Sequence, residues 1–174
     1  MNLSNSTTII PSIRKTNLII FIGCVLLILV GVYLEHVMRL IPCPLCITQR
    51  AFIDLIGVLA LAAFIHNPNI KGRRAYAVAG ILAALGGAYF AQHHIWLQSL
   101  PADQVPACGP GLAYMFEVFP FMEAFTMLLQ GDGTCAQPHI IFGLSIPKWT
   151  LIAFIGLGLI NIYQVVRKHD ALVN

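Results

Sequence analysis

Cys43-Pro44-Leu45-Cys46 is the segment of this sequence best suited to chemistry. Proline fits the first turn of a helix, where a missing amide hydrogen costs little. Cys43 is therefore expected at an N-cap, with both sulfurs at the positive end of the helix dipole. That setting favours thiolate. Arg50 follows Cys46 by four residues, so one helical turn brings its guanidinium to the same face. A fixed positive charge there stabilises a thiolate and donates hydrogen bonds to a polar ligand. By spacing alone, a C-x-x-C reads as a structural disulfide, half of a zinc site or a redox pair.

A second pair, Cys108 and Cys135, lies far downstream. As a plain staple it would close a loop worth about 3 to 4 kcal/mol. Yet Gly109 and Pro110 follow Cys108, and Gly131 and Gly133 precede Cys135, so both sulfurs are expected in exposed turns open to another protein's thiolate. The second pair lacks zinc-knuckle spacing and no further ligand motif accompanies it, which argues against a metal site. Cys24 falls about 15 Å, or ten residues at helical rise, below the nearest end of its segment. That is too far for a disulfide to Cys43, which requires α-carbons within about 7 Å, and Cys24 is read as a packing residue.

The elements that must hold these groups are membrane helices. The 174 residues are 58% hydrophobic and 10% charged, well outside soluble composition. The net charge of +3 reflects membrane topology rather than a nucleic-acid partner. Four runs, 17–34, 47–65, 75–96 and 149–166, approach the roughly 20 residues that cross a hydrocarbon core. The first follows Arg14 and Lys15 with no cleavage signal after it, so it is read as a retained helix. Gly57, Gly80, Gly86, Gly87, Gly156 and Gly158 would let helix backbones approach closely. The expectation is an all-α, four-transmembrane-helix antiparallel bundle in one membrane domain, 1–174.

Basic residues orient it. Arg14, Lys15, Lys71, Arg73, Arg74, Arg167 and Lys168 cluster at one set of helix ends, against Arg39, Arg50 and Lys148 at the other. Both termini are then cytoplasmic, and the sequons at Asn2 and Asn5 are on the wrong side for glycosylation. Outer loops at about 35–46 and 97–148 carry four of the five cysteines on the oxidising side. Within the long loop, Tyr114 to Leu129 is rich in Phe, Met and Leu and interrupted by Pro120, so one or two short surface helices are expected there.

C-P-L-C-I-T-Q-R opening the second helix, His93-His94-Ile95-Trp96-Leu97-Gln98 closing the third and Leu144-Ser145-Ile146-Pro147 opening the fourth resemble the disulfide bond formation protein B (DsbB) family over nearly the whole chain. The resemblance implies a thiol:quinone oxidoreductase of the bacterial inner membrane that reoxidises a periplasmic DsbA-like thiol oxidase, a relay in which quinone is the terminal acceptor. It implies that Cys108 and Cys135 exchange with the partner, Cys108 forming the mixed disulfide. Cys43 and Cys46 would be the quinone-coupled pair, and Arg50 and His94 would contact ubiquinone or menaquinone. An interloop disulfide between Cys46 and Cys108, or a neighbouring loop cysteine, is among the connectivities such a relay visits. Position 49 is Gln here, where an acidic residue also occurs in the family. A vitamin K epoxide reductase-like protein also couples two cysteine pairs to a quinone, but its C-x-x-C comes late in the chain. A non-catalytic protein with two structural disulfides is the remaining alternative.

Among other residues, Tyr33, Trp96 and Trp149 are read as interface anchors. Asp54 is expected to face the bundle interior or water. Glu35 and His36 are expected to be solvated.

Overall fold

The computed structural model describes residues 12–109 and 112–167; Asn2, Asn5, Pro110 and Lys168 lie outside the described residues. Among the described residues, four helices are long and apolar enough to cross a membrane: α1 (Ile13–His36), α2 (Pro44–His66), α3 (Ile70–Gln98) and α6 (Ile146–Val166). All four start earlier than their apolar runs, because a helix continues to its cap whereas hydropathy marks only the part that matches lipid. The Ser12 hydroxyl accepts from the Lys15 amide, so α1 takes in Arg14 and Lys15. Asn69 caps α3 by accepting from the Gly72 amide at 3.2 Å. With 29 residues, α3 is about 44 Å long at helical rise, so it extends beyond the hydrocarbon core at its ends.

The main packing is sequential, α1 on α2, α2 on α3 and α3 on α6. Since apolar side chains gain little by leaving lipid, close van der Waals fit must hold these helices together. Small residues supply it. The Phe154 ring of α6 fills the space that a side chain at Gly87 of α3 would take, and Gly57 of α2 lies against Cys24 of α1, which is 2% exposed. Gly156, in contrast, faces no atom within 4 Å and takes no part in an approach.

Asp54 does not face the bundle interior. Ile53 takes the interior position, so the next residue, about 100° further round the helix, faces outward. Asp54 is exposed at a crevice between α1 and α2 beside Cys24 and Gly57.

The long connection between α3 and α6 contains α4 (Leu112–Val118), α5 (Phe121–Gln130), a 3-10 turn at Gly133–Ala136, and two short strands, β1 (Ile140–Ile141) and β2 (Leu144–Ser145). Pro120 separates α4 from α5 and stands at the N-cap of the latter. Ala124 of α5 is fully buried, while Phe121, Met122 and Phe125 point outward, and α5 packs on α2. The strands pair antiparallel, Ile140 opposite Ser145. Phe142 and Gly143 form their turn with φ of 49° and 82°, the left-handed pair that two-residue hairpins favour. Two-residue strands have no readable periodicity, so the sequence gives no sign of this hairpin. It braces the start of α6, where the Trp149 indole N–H donates to the Ile141 carbonyl at 3.0 Å.

Candidate functional site

At the cysteine-bearing end of the bundle a second cluster forms from Cys43, Leu45, Leu97 and Cys135, with Cys46, Phe90 and Leu100 around it. Cys43 is the N-cap of α2 and Pro44 lies in its first turn. The Cys43 sulfur accepts from the Cys46 amide at 3.4 Å, and the two sulfurs are 2.9 Å apart. Leu45 between them is completely buried, so the motif cannot turn without unpacking the cluster.

The two loop cysteines have opposite environments. Cys135, in the 3-10 turn, is 0% exposed, whereas Cys108 is exposed. Cys135 packs with Cys43 in this buried cluster. The Cys43 thiol beside it pushes the Cys135 thiol down to about 7, against the opposing effect of burial. Cys135, Cys46 and burial together push the Cys43 thiol up. Of the two loop cysteines, the structure brings Cys135 to the C-x-x-C pair.

Asp132 ties the two loop cysteines together. Its carboxylate accepts from the Gly109 amide at 3.1 Å and from the Thr134 amide at 3.0 Å, and the Gly133 amide donates to the Ala107 carbonyl at 3.2 Å. Sequence reasoning passed over Asp132, although an aspartate between two glycines is a turn signal.

His94 is 3% exposed and lies inside this end of α3. Its Nε2 is 3.1 Å from the Cys135 carbonyl and 3.8 Å from the Cys43 sulfur. Its Nδ1 is 3.1 Å from Gln49 Nε2, and Gln49 Oε1 accepts from the Thr150 hydroxyl of α6 at 2.5 Å. His93 points the other way, its Nε2 meeting the Gln130 carbonyl at the end of α5 at 3.0 Å. Thr150 is a site residue that sequence reasoning missed, and Gln49, singled out there only as a departure from the family pattern, is a second member of the site. The ligand atoms of Cys43, Cys46 and His94 lie within 4.8 Å of one another, a spacing open to a soft metal ion. With both His94 nitrogens already engaged, the arrangement is a sulfur pair beside a hydrogen-bonding imidazole rather than an open ligand set.

On the other side of Gln49 a cleft of about 640 Å³, open mouth included, separates α1 from α2. Cys46, Gln49 and Arg50 line it together with Leu27, Leu34 and Ile53. Arg50 donates to Glu35 at 2.7 Å and to the Gly31 carbonyl at 3.0 Å. Gly31 leaves room for that approach, since an added Cβ would be 3.1 Å from Arg50 Nε and the guanidinium would have to give way slightly. Glu35 is thus the ion-pair partner of Arg50 rather than simply solvated: the helical phase of α1 turns it toward α2. His94 does not line this cleft; it borders a small pocket with Cys43, Cys46 and Gln98.

Residues 13–164 match the family described as Disulfide bond formation protein DsbB. A disulfide bond formation protein B of Saccharophagus degradans is 53% identical over 162 residues, 92% of this chain and 98% of the relative. One from Hahella chejuensis is 52% identical over 158 residues, 88% and 96% of the two chains. Disulfide bond formation protein B 1 of Pseudomonas aeruginosa is 44% identical over 160 residues, 91% and 98%.

Proposed function

The chain belongs to the disulfide bond formation protein B family, and from that premise we propose that it is a thiol:quinone oxidoreductase that reoxidises a periplasmic DsbA-like thiol oxidase. Family membership makes it a membrane disulfide bond formation protein with a disulfide oxidoreductase role. One observation carries the finer reading: Cys46 shares an apolar cleft with Arg50, while Cys43, three residues earlier, packs in one buried cluster with the loop cysteine Cys135. Sulfur exchange on one side of the motif is thereby joined to a ligand cleft on the other.

Exposed Cys108 is the sulfur available to a partner. In the oxidised Cys108–Cys135 pair, the partner's thiolate attacks Cys108, forming the mixed disulfide and releasing Cys135 as thiolate. The partner's second thiolate then attacks its own mixed-disulfide sulfur, so the partner leaves oxidised and Cys108 is freed. Cys135 attacks Cys43 of the Cys43–Cys46 disulfide, and Cys46 leaves as thiolate beside Arg50. Finally Cys108 attacks Cys135, which restores the loop disulfide and releases Cys43. The sum is one dithiol oxidised in the partner and one dithiol formed at Cys43 and Cys46.

A quinone supplies the final acceptor, taking two electrons and two protons from that dithiol. The cleft's donor set supports such a ligand. Aliphatic walls suit a flat ring, and the two bonds of Arg50 to Glu35 and Gly31 use two of the guanidinium's five N–H groups. Arg50 also holds positive charge near Cys46, one helical turn away. Hydrogen bonds from it to developing oxygen charge are preorganised.

Quinone reduction by the purified chain in detergent, with a reduced DsbA-type oxidase and either ubiquinone-1 or a short menaquinone, tests the proposal. Turnover should vanish in Cys46→Ser and Cys108→Ser, while Arg50→Ala should weaken quinone use. Undiminished turnover in Cys46→Ser would sink the route.

A further inference from the structure

Hydrogen-bond polarity at His94 contains more than a local contact. The Cys135 carbonyl can only accept, so His94 Nε2 must carry a proton. A neutral imidazole then has a bare Nδ1, which needs a donor, and the Gln49 amide nitrogen is 3.1 Å from it. The Gln49 amide therefore faces His94 with its nitrogen, which leaves its oxygen to accept from the Thr150 hydroxyl, whose single proton also lies near the Pro147 carbonyl at 3.0 Å. The chain Thr150, Gln49, His94, Cys135 crosses α6, α2, α3 and the loop. Gln49 and His94 are 2% and 3% exposed, so no water replaces a missing partner and a broken link leaves a buried polar group unsatisfied.

We propose that Gln49 is a positioning residue for sulfur exchange: by holding His94 in its Nε2–H tautomer it lets His94 seat Cys135 against Cys43. The assignment rests on the exchange route above. Seating the Cys135 backbone fixes where its sulfur lies, and a thiolate must approach the Cys43 sulfur along the S–S axis to displace Cys46. One disulfide is broken and one formed, and Cys46 departs with the electron pair. Gln49 also lines the cleft beside Arg50, so the side chain that fixes the exchange partner forms one wall of the acceptor site. His94 acts on the sulfur side of that wall.

The test uses the full chain in detergent with Cys46→Ser and Cys108→Ser, which leaves Cys43 and Cys135 as the outer thiols. Diamide takes the two electrons and two protons, and the Cys43–Cys135 disulfide is followed by peptide mass spectrometry. Gln49→Met keeps the side-chain length and loses the amide; it should slow closure about tenfold, the equivalent of one net hydrogen bond. His94→Ala should slow it as much, and the double variant no further. Gln49→Glu should restore the parent rate, because a carboxylate holds an imidazolium whose Nε2–H still meets the Cys135 carbonyl. With all native cysteines and a reduced DsbA-type oxidase, His94→Ala should lower kcat and leave KM for ubiquinone-1 within about twofold.

Closure in Gln49→Met at the parent rate would overturn the proposal. So would a Gln49→Glu variant as slow as Gln49→Met, which marks a packing effect, or a raised quinone KM in His94→Ala, which puts the imidazole in the cleft. If the parent itself forms no Cys43–Cys135 disulfide, the exchange route fails and the positioning role falls with it.

Discussion

The interior of the bundle and its cysteine-bearing end are held together by different forces. Inside, Ile20, Ala84, Phe154 and their neighbours interlock without directional bonds, and the fit of an aromatic ring to a glycine sets the spacing of α3 and α6. At the cysteine-bearing end, four sulfur and leucine side chains form a much smaller cluster, and polar links tie it down: Thr150 to Gln49 to His94 to the Cys135 backbone, and Asp132 to Gly109. Packing fixes distances between helices but tolerates small slides. Hydrogen bonds fix direction, which a sulfur attacking along a bond axis requires. The difference teaches that the fold and the chemistry can be damaged separately.

Gly87→Val should produce the largest effect, and only on the interior. A branched side chain there meets the Phe154 ring, and forced overpacking should lower bundle stability by about 3 kcal/mol. Thermal unfolding in detergent, followed by circular dichroism, measures it. An unchanged transition would mean that α3 and α6 can part without loss.

A smaller effect confined to the cysteine cluster is expected in the titration of the thiols. Thiolate absorbance at 240 nm should rise through an inflection near pH 7, where Cys135 is held by the Cys43 thiol. Cys135→Ser should remove that inflection. Cys43→Ala removes a donor that favours the charged form, so the inflection should move up toward the ordinary 9.0. An inflection near 7 that survives both changes would assign the low value to another group.

Gly133→Ala aims at the same cluster through the backbone. An added Cβ would meet the Pro106 carbonyl and come within 3.2 Å of the Cys108 amide nitrogen. Main chain cannot rotate aside as a side chain can, so the Cys108 strand must shift away from Cys135. Turnover with a reduced DsbA-type oxidase should fall by about tenfold, at an unaltered unfolding temperature. Loss of both would show that the two regions are not independent.

How much of this was legible in the sequence follows the same division. The four spans were, because lipid demands long apolar runs and Cys43-Pro44 marks a helix start. The proximity of Arg50 to Cys46 at one cleft was also readable, since it is an interval within a single helix. Glu35 was misplaced, and the face of Asp54 left open, because facing depends on how far each helix is rotated against its neighbour, which weakly amphipathic membrane helices leave unmarked. Gln49 and Thr150 are 101 positions apart, and no periodicity connects them. Nor does spacing distinguish Cys108 from Cys135: burial does, and it arises from tertiary contacts among α2, α3 and the 3-10 turn.

Arg50→Ala separates the cleft from the exchange site. It should raise KM for ubiquinone-1 about fivefold to tenfold through loss of a charged donor, while diamide closure of Cys43 on Cys135 proceeds at the parent rate. Slower closure would mean that Arg50 also supports the sulfur cluster.

The smallest effect, and the one with an informative sign, belongs to Glu35. Its pair with Arg50 is about one-third exposed on each side, with side chains at 27% and 32%, so solvent screens most of its energy. Glu35→Gln keeps an oxygen that accepts from Arg50 and removes only the negative charge. The guanidinium stays in place with its charge less countered, and KM for quinone should fall, by less than about threefold. Glu35→Ala loses the hold as well. Arg50 then keeps its bond to the Gly31 carbonyl alone, and KM should rise. Opposite signs in the two variants would show that Glu35 places the arginine while tempering its charge, and equal signs would reduce its part to placement.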